Sequence, residues 1–144
     1  LKNIKGVKYG ARMHMPFIRA SSLNASNFQV MSAGNFFFSA LCYGLSASTT
    51  SDANFMPRVY VKIKKLFDKG EIKAARNLQF QAIDLLQKIP RTDNGESSAE
   101  IKYILSKMNY CDENLNQSYR NLNITEKDKL NKIIDEIHLL NKEC

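Results

Sequence analysis

The chain has 144 residues, 44% hydrophobic and 24% charged, a balance that excludes a disordered tail or a fibrous protein and predicts one globular domain. It holds no apolar run of the roughly 18 residues a membrane span needs and no basic-then-apolar leader, so neither a membrane nor a secretory role is expected. The net charge of +7 is uneven: residues 1–60 carry six basic residues and one acid, Asp52, which suits an anionic partner, while the lack of Lys/Arg clusters interleaved with aromatics argues against nucleic acid.

Asn3 to Gly10 reads as a short buried strand, because a β-branched residue on each side of Gly6 favours extended backbone. It delivers Lys8 to its end. A lysine buried there loses hydration and its pKa falls, which is the condition for a neutral amine nucleophile. A solvated lysine flanking a strand is the plainer alternative. Met13 to Leu23 is predicted helical, with Pro16 in the first turn where a missing N–H costs little. His14 falls at the strand's C-terminal end, as a capping histidine or a site residue. Phe28 to Ser32 reads as a second buried strand and Ala33-Gly34-Asn35 as its turn. Phe36 to Tyr43 is an apolar helix closed by Gly44, a residue suited to a left-handed cap. Leu45 to Thr50 is a third strand, small and rich in hydroxyls. Thr50 and Ser51 at its end either reach a substrate or pair with neighbouring backbone.

Asn54 to Phe67 is the next helix, with Pro57 in its first turn and Val59, Ile63 and Phe67 on one face. Lys62, Lys64, Lys65 and Lys69 gather toward its C-terminus, complementing the helix dipole, and Gly70 ends it. Glu71 to Ile89 is a longer amphipathic helix with Ile72, Ala75, Ala82, Leu86 and Ile89 along one face. A loop over 90–95 comes next, and Ser97 with Glu100 forms a capping box for a helix through Met108. Residues 109–123 are polar and irregular. Thr125 with Asp128 starts a final helix through Leu140, its buried stripe made by Ile133, Ile134, Ile137 and Leu140.

Several chemistries are absent. Cys42, Cys111 and Cys144 stand at no metal or disulfide spacing and read as free thiols of a reducing compartment, the cytoplasm. There is no Walker loop and no GxGxxG. His14 and His138 lack clustered cysteines or acids, so no zinc site is expected. With Asp52 alone in the basic portion, a glycosidase carboxylate pair is hard to build.

Gly6-Val7-Lys8, Phe28 to Asn35, Gly44 to Thr50, Ala53 to Pro57 and Lys69 to Gln79, in this order and spacing, resemble the second half of the N-acetylneuraminate lyase and dihydrodipicolinate synthase family of pyruvate-dependent class I aldolases. The resemblance covers most of residues 3–110. It implies an α/β chain forming the C-terminal part of a (β/α)8 TIM barrel. About three parallel strands with their helices, strands six to eight, would occupy residues 1–95, and a helical extension residues 96–144. A complete barrel takes about 250 residues, so five strands would be missing.

The resemblance further implies that Lys8 forms a Schiff base with pyruvate or a related 2-keto acid, with no cofactor beyond that covalent bond. Gly34, Asn35, Thr50 and Ser51 take the substrate-binding positions. Five positions depart from the family pattern. Gly10 stands for a small hydroxyl residue, Met13 for an aspartate, and Ala47 for a glycine. Asn35-Phe36 stands for the acid pair of the sialic acid lyases, which argues against sialic acid. The proton-shuttling tyrosine belongs to earlier strands. Two open sheet edges predict a homo-oligomer or a second chain that supplies the N-terminal half. The alternatives are a catalytically inactive half-barrel acting through self-association or protein binding, and a basic binding module.

Overall fold

A computed structural model describes residues 3–10, 14–91, 98–116 and 120–144. Two compact units emerge, Leu1–Ser51 with Tyr60–Gln79, and Asp52–Val59 with Phe80–Cys144.

The first unit begins with strand β1 (Gly6–Tyr9), helix α1 (His14–Ser21), strand β2 (Gln29–Ala33), helix α2 (Phe37–Cys42) and strand β3 (Ser48–Thr49). The strands form one sheet in the order β1-β2-β3, parallel throughout, with Lys8 beside Met31, Tyr9 beside Ser32, and Ser32 beside Ser48. Parallel strands cannot be joined by a tight hairpin, and here a helix makes each crossover. The third strand is shorter than its sequence suggests. A run of small residues and hydroxyls has little side-chain area with which to hold a longer pleated ladder.

Alternation along β2 shows how the sheet is covered. Val30 and Ser32 are buried, whereas Gln29 is exposed and Met31 and Ala33 are half-buried. Side chains of paired residues lie on the same face, so Lys8 shares the less covered face with Met31. The expectation of fully buried strands is therefore corrected. β1 is exposed from Gly6 through Lys8, because it pairs on one side only among the described residues and one face of the sheet is open.

Phe17, Val30, Phe37, Leu41, Leu45, Ile63 and Leu78 belong to this unit's core. Phe17 meets the edge of Phe36 at 5.2 Å between centroids, and Phe38 meets Phe67 at 6.0 Å. Such pairs add about 0.5–1.5 kcal/mol each beyond their area. The aromatic run over Phe36–Phe38 thus serves packing.

Helix α3 (Pro57–Asp68) is preceded by a single 3-10 turn over Ser51–Asn54, and α4 covers Ile72–Lys88. Val59 and Ile63 are fully buried on the face the sequence assigns them. Gly44 and Gly70, both at φ +78°, end α2 and α3 as expected. On α4 the stripe drifts: Ile72 is exposed and Leu86 half-buried, while Leu78 and Leu85 take the buried places with Ala75, Ala82 and Ile89.

The second unit also contains α5 (Ser98–Lys107) and α6 (Ile124–Glu143). Ile104, Leu130 and Ile137 are fully buried in it, and the Tyr103 hydroxyl donates to Asn131 Oδ1 at 3.0 Å. α5 stops one residue short of Met108. Asn109 adopts φ +62°, and the N–H of Tyr110 reaches back to the carbonyl of Leu105, the 6→1 bond of a left-handed cap.

The start of α6 differs from expectation. Asn123, not Thr125, is the cap: its Oδ1 accepts from the Glu126 N–H at 2.9 Å, and Glu126 Oε2 accepts from the Asn123 N–H at 2.8 Å. Both pairs have capping spacing, but asparagine outranks threonine at the cap and glutamate reaches back where aspartate is short. Ser97 of the other proposed capping box, residues 92–95 of the loop and Met13 lie outside the described residues.

Among the described residues no helix is long and apolar enough to cross a membrane, and no group of three His, Cys, Asp or Glu residues is placed to hold a metal ion. Cys42, Cys111 and Cys144 form no disulfide.

Candidate active site

Because the three strands run in one direction, the segments leaving their carboxyl ends emerge at the same end of the sheet. Lys8 is the penultimate residue of β1, Gly34 and Asn35 come directly after β2, and Thr50 and Ser51 directly after β3. The five residues singled out in the sequence are thus gathered at the carboxyl ends of parallel strands, where open and closed α/β sheets bind their ligands. His14 opens α1 at that end.

Lys8 is exposed, as is Ser51, while Gly34, Asn35 and Thr50 are half-buried.

The turn after β2 is held from several sides. Gly34 sits at φ +113°, and a Cβ there would stand 3.0 Å from the ring of Phe36, so both backbone and space require glycine. Its N–H donates to the carbonyl of Thr49 at 2.9 Å. The Ser48 hydroxyl lies 3.3 Å from each of two carbonyl oxygens, those of Ser32 and Gly34, and so bridges β2 to its own turn. Phe36 is half-buried with its ring against Phe17, and contributes no polar group.

Gly10 stands where the resemblance asks for a hydroxyl residue. A Cβ at this position would lie 3.0 Å from the Cβ of Ala33, so a serine there requires Ala33 to yield. The departure at Gly10 is matched by the residue beside it.

The sequence pattern alone did not single out Gln79. This residue of α4, 3% exposed, donates from Nε2 to the Asn35 carbonyl at 2.9 Å and accepts at Oε1 from the Phe38 N–H at 3.0 Å. The available signal is positional: Gln79 falls four residues after Ala75 and three before Ala82, on the buried stripe of α4.

The architecture defines a class: a parallel α/β chain of successive strand–helix units, with an amine and several small polar groups at the carboxyl ends of its strands. The model of the dihydrodipicolinate synthetase family matches residues 1–137, and the chain belongs to that family. Its fold is similar to that of a dihydrodipicolinate synthase from Thermotoga maritima, at 21% identity and a TM-score of 0.82, covering 96% of this chain and 48% of that one. A sialic acid aldolase from Ruminococcus gnavus gives 19% identity and a TM-score of 0.83, covering 98% and 47%. A variant 2-keto-3-deoxygluconate aldolase from Sulfolobus solfataricus, in complex with L-2-keto, 3-deoxy-galactonate, gives 23% and 0.74, covering 94% and 45%. The chain spans about half the length of these structures. A search of curated proteins found no match.

Proposed function

We propose that this chain carries the Schiff-base portion of a class I aldolase or lyase, strands six to eight of a (β/α)8 barrel, acting on pyruvate or a related 2-keto acid. The observation that carries the reading is the position of Lys8: near the carboxyl end of a parallel strand, on the less covered face of the sheet, and within the family match over residues 1–137. The neutral amine of Lys8 adds to the C2 carbonyl, and the resulting carbinolamine takes up a proton on its hydroxyl and loses it as water to give an iminium. That iminium accepts the electron pair released when the bond to C3 is broken, or supports the enamine that attacks an aldehyde.

The remaining groups at this end bind rather than react. The Asn35 amide and the hydroxyls of Thr50 and Ser51 offer neutral hydrogen bonds to the keto acid and its aldehyde partner. With Phe36 packed on Phe17, the position after Asn35 has nothing to hold a polyhydroxylated chain, which supports a smaller partner than sialic acid.

Chemistry at neutral pH requires the Lys8 ammonium to lose its proton readily, and burial is the ordinary means. A strand added at the open edge of β1, from a second copy or from an N-terminal half, supplies that burial and pairs the edge.

The test is the intact mass of the folded chain after incubation with pyruvate and borohydride. The expected result is one reduced pyruvate adduct on the wild type and none on Lys8→Ala. A folded wild type that stays unmodified overturns the reading.

A further inference from the structure

We infer that Gln79 is a positioning residue for the keto-acid site, fixing the Gly34–Asn35 turn through both ends of one side-chain amide. The inference rests on the aldolase reading for the meaning of that turn, though not for its geometry. α2 begins without help from its own cap: Phe36 precedes it and makes no side-chain capping bond. The first N–H groups of a helix have no partner within it. Gln79, from α4, meets one of them by accepting from the Phe38 N–H, and with its other end donates to the Asn35 carbonyl. The two contacts fix the amide orientation, since the reverse would set oxygen against oxygen and nitrogen against N–H.

A glutamine 3% exposed is costly unless both ends are satisfied, and here both are satisfied by one short stretch of backbone. Three backbone groups of that stretch are thereby committed: the Asn35 carbonyl and Phe38 N–H to Gln79, and the Gly34 N–H to Thr49. The Asn35 side chain is then presented from a turn whose backbone is held on both sides. A hydrophobic residue at position 79 would leave the Asn35 carbonyl and the Phe38 N–H without these partners, and the turn held only from the β3 side.

Gln79→Glu and Gln79→Leu separate the two bonds. An ionised glutamate still accepts from the Phe38 N–H, has no proton for the Asn35 carbonyl, and recovers it on protonation. Leucine loses both. Two readouts are monitored: amide shifts and hydrogen exchange at Asn35 and Phe38, and the pyruvate dependence of borohydride trapping on Lys8.

In the leucine variant, Phe38 exchange rises about tenfold or more, the scale of one buried hydrogen bond lost. Half-saturating pyruvate rises by a similar factor, with little change in the limiting adduct rate. In the glutamate variant, Phe38 stays protected at neutral pH while the Asn35 shift is displaced, and returns toward the wild-type position in acid. Wild-type shifts and exchange at both residues in the leucine variant overturn the inference. So does an equal fall in affinity and limiting rate that tracks lost helicity. If the wild type forms no adduct, the aldolase reading has failed, and the amide readouts alone decide whether Gln79 holds the turn.

Discussion

Gly6 and Gln29 approach so closely across the β1–β2 pair that a Cβ on residue 6 would stand 2.4 Å from the Gln29 carbonyl oxygen. No side-chain rotation relieves a backbone clash of that kind. Gly6→Ala is expected to cost about 1–3 kcal/mol, the range of overpacking. The loss should be local, since among the described residues β1 lies at the sheet edge and can move away. The Gln29 N–H, which donates to the Lys5 carbonyl at 2.9 Å, reports it. Faster exchange at Gln29 with unchanged protection in α4 is the expected pattern, and unaltered Gln29 exchange would show that the strands tolerate the methyl.

Glu126 makes the start of α6 sensitive to acid. Its carboxylate accepts from the Arg120 guanidinium at 2.7 and 3.0 Å and from the Asn123 N–H at 2.8 Å, and these bonds, Arg120 first, hold it below its ordinary 4.5. A carboxyl whose folded pKa is depressed stabilises the fold above its unfolded pKa and loses that contribution as pH falls through the folded value. Melting temperatures of wild type and Glu126→Gln should therefore differ at neutral pH and converge below the ordinary carboxylate range. A constant difference across that range would assign the effect to packing. Asn123→Ala removes the reciprocal bond, and about 1 kcal/mol of stability should go with it.

Ile63 and Val61 contrast two faces of α3. Ile63 is 0% exposed and Val61 is 53% exposed. Ile63→Ala should cost about 2–5 kcal/mol through lost burial and the cavity left behind. Val61→Ala should stay within about 0.5 kcal/mol. Denaturant midpoints measure both, and similar losses would mean that Val61 is covered in solution.

Much of the fold is legible in the amino-acid sequence because its signals are local. The glycines at 44 and 70 end helices at φ +78°, and prolines 16 and 57 sit in first turns as expected. The cap of α6 is harder to place because two Asx/Thr–acid pairs with the same spacing overlap there, and only their relative strength separates them. The exposure of Lys8 is not legible, since burial depends on what stands beside a strand rather than on the strand. Gln79 escapes notice for a related reason: a polar residue on an amphipathic helix reads as surface until its partners, 41 and 44 residues earlier, are seen.

Among the described residues β1 has no neighbour on its outer side, and on the proposed aldolase reading that edge would tie two equilibria together. In a parallel pair alternate residues of a strand face one neighbour, and the bond to the Lys5 carbonyl assigns the odd-numbered residues of β1 to β2. The peptide groups of Gly6 and Lys8 then point away from β2, on the strand that bears the Lys8 amine. A strand that docked there would satisfy the Lys8 backbone and dehydrate its side chain in one event. Under the proposed aldolase reading, assembly and imine formation would be reciprocal: a keto acid that captured the amine would strengthen the association, and association would raise the affinity for the keto acid by the same factor.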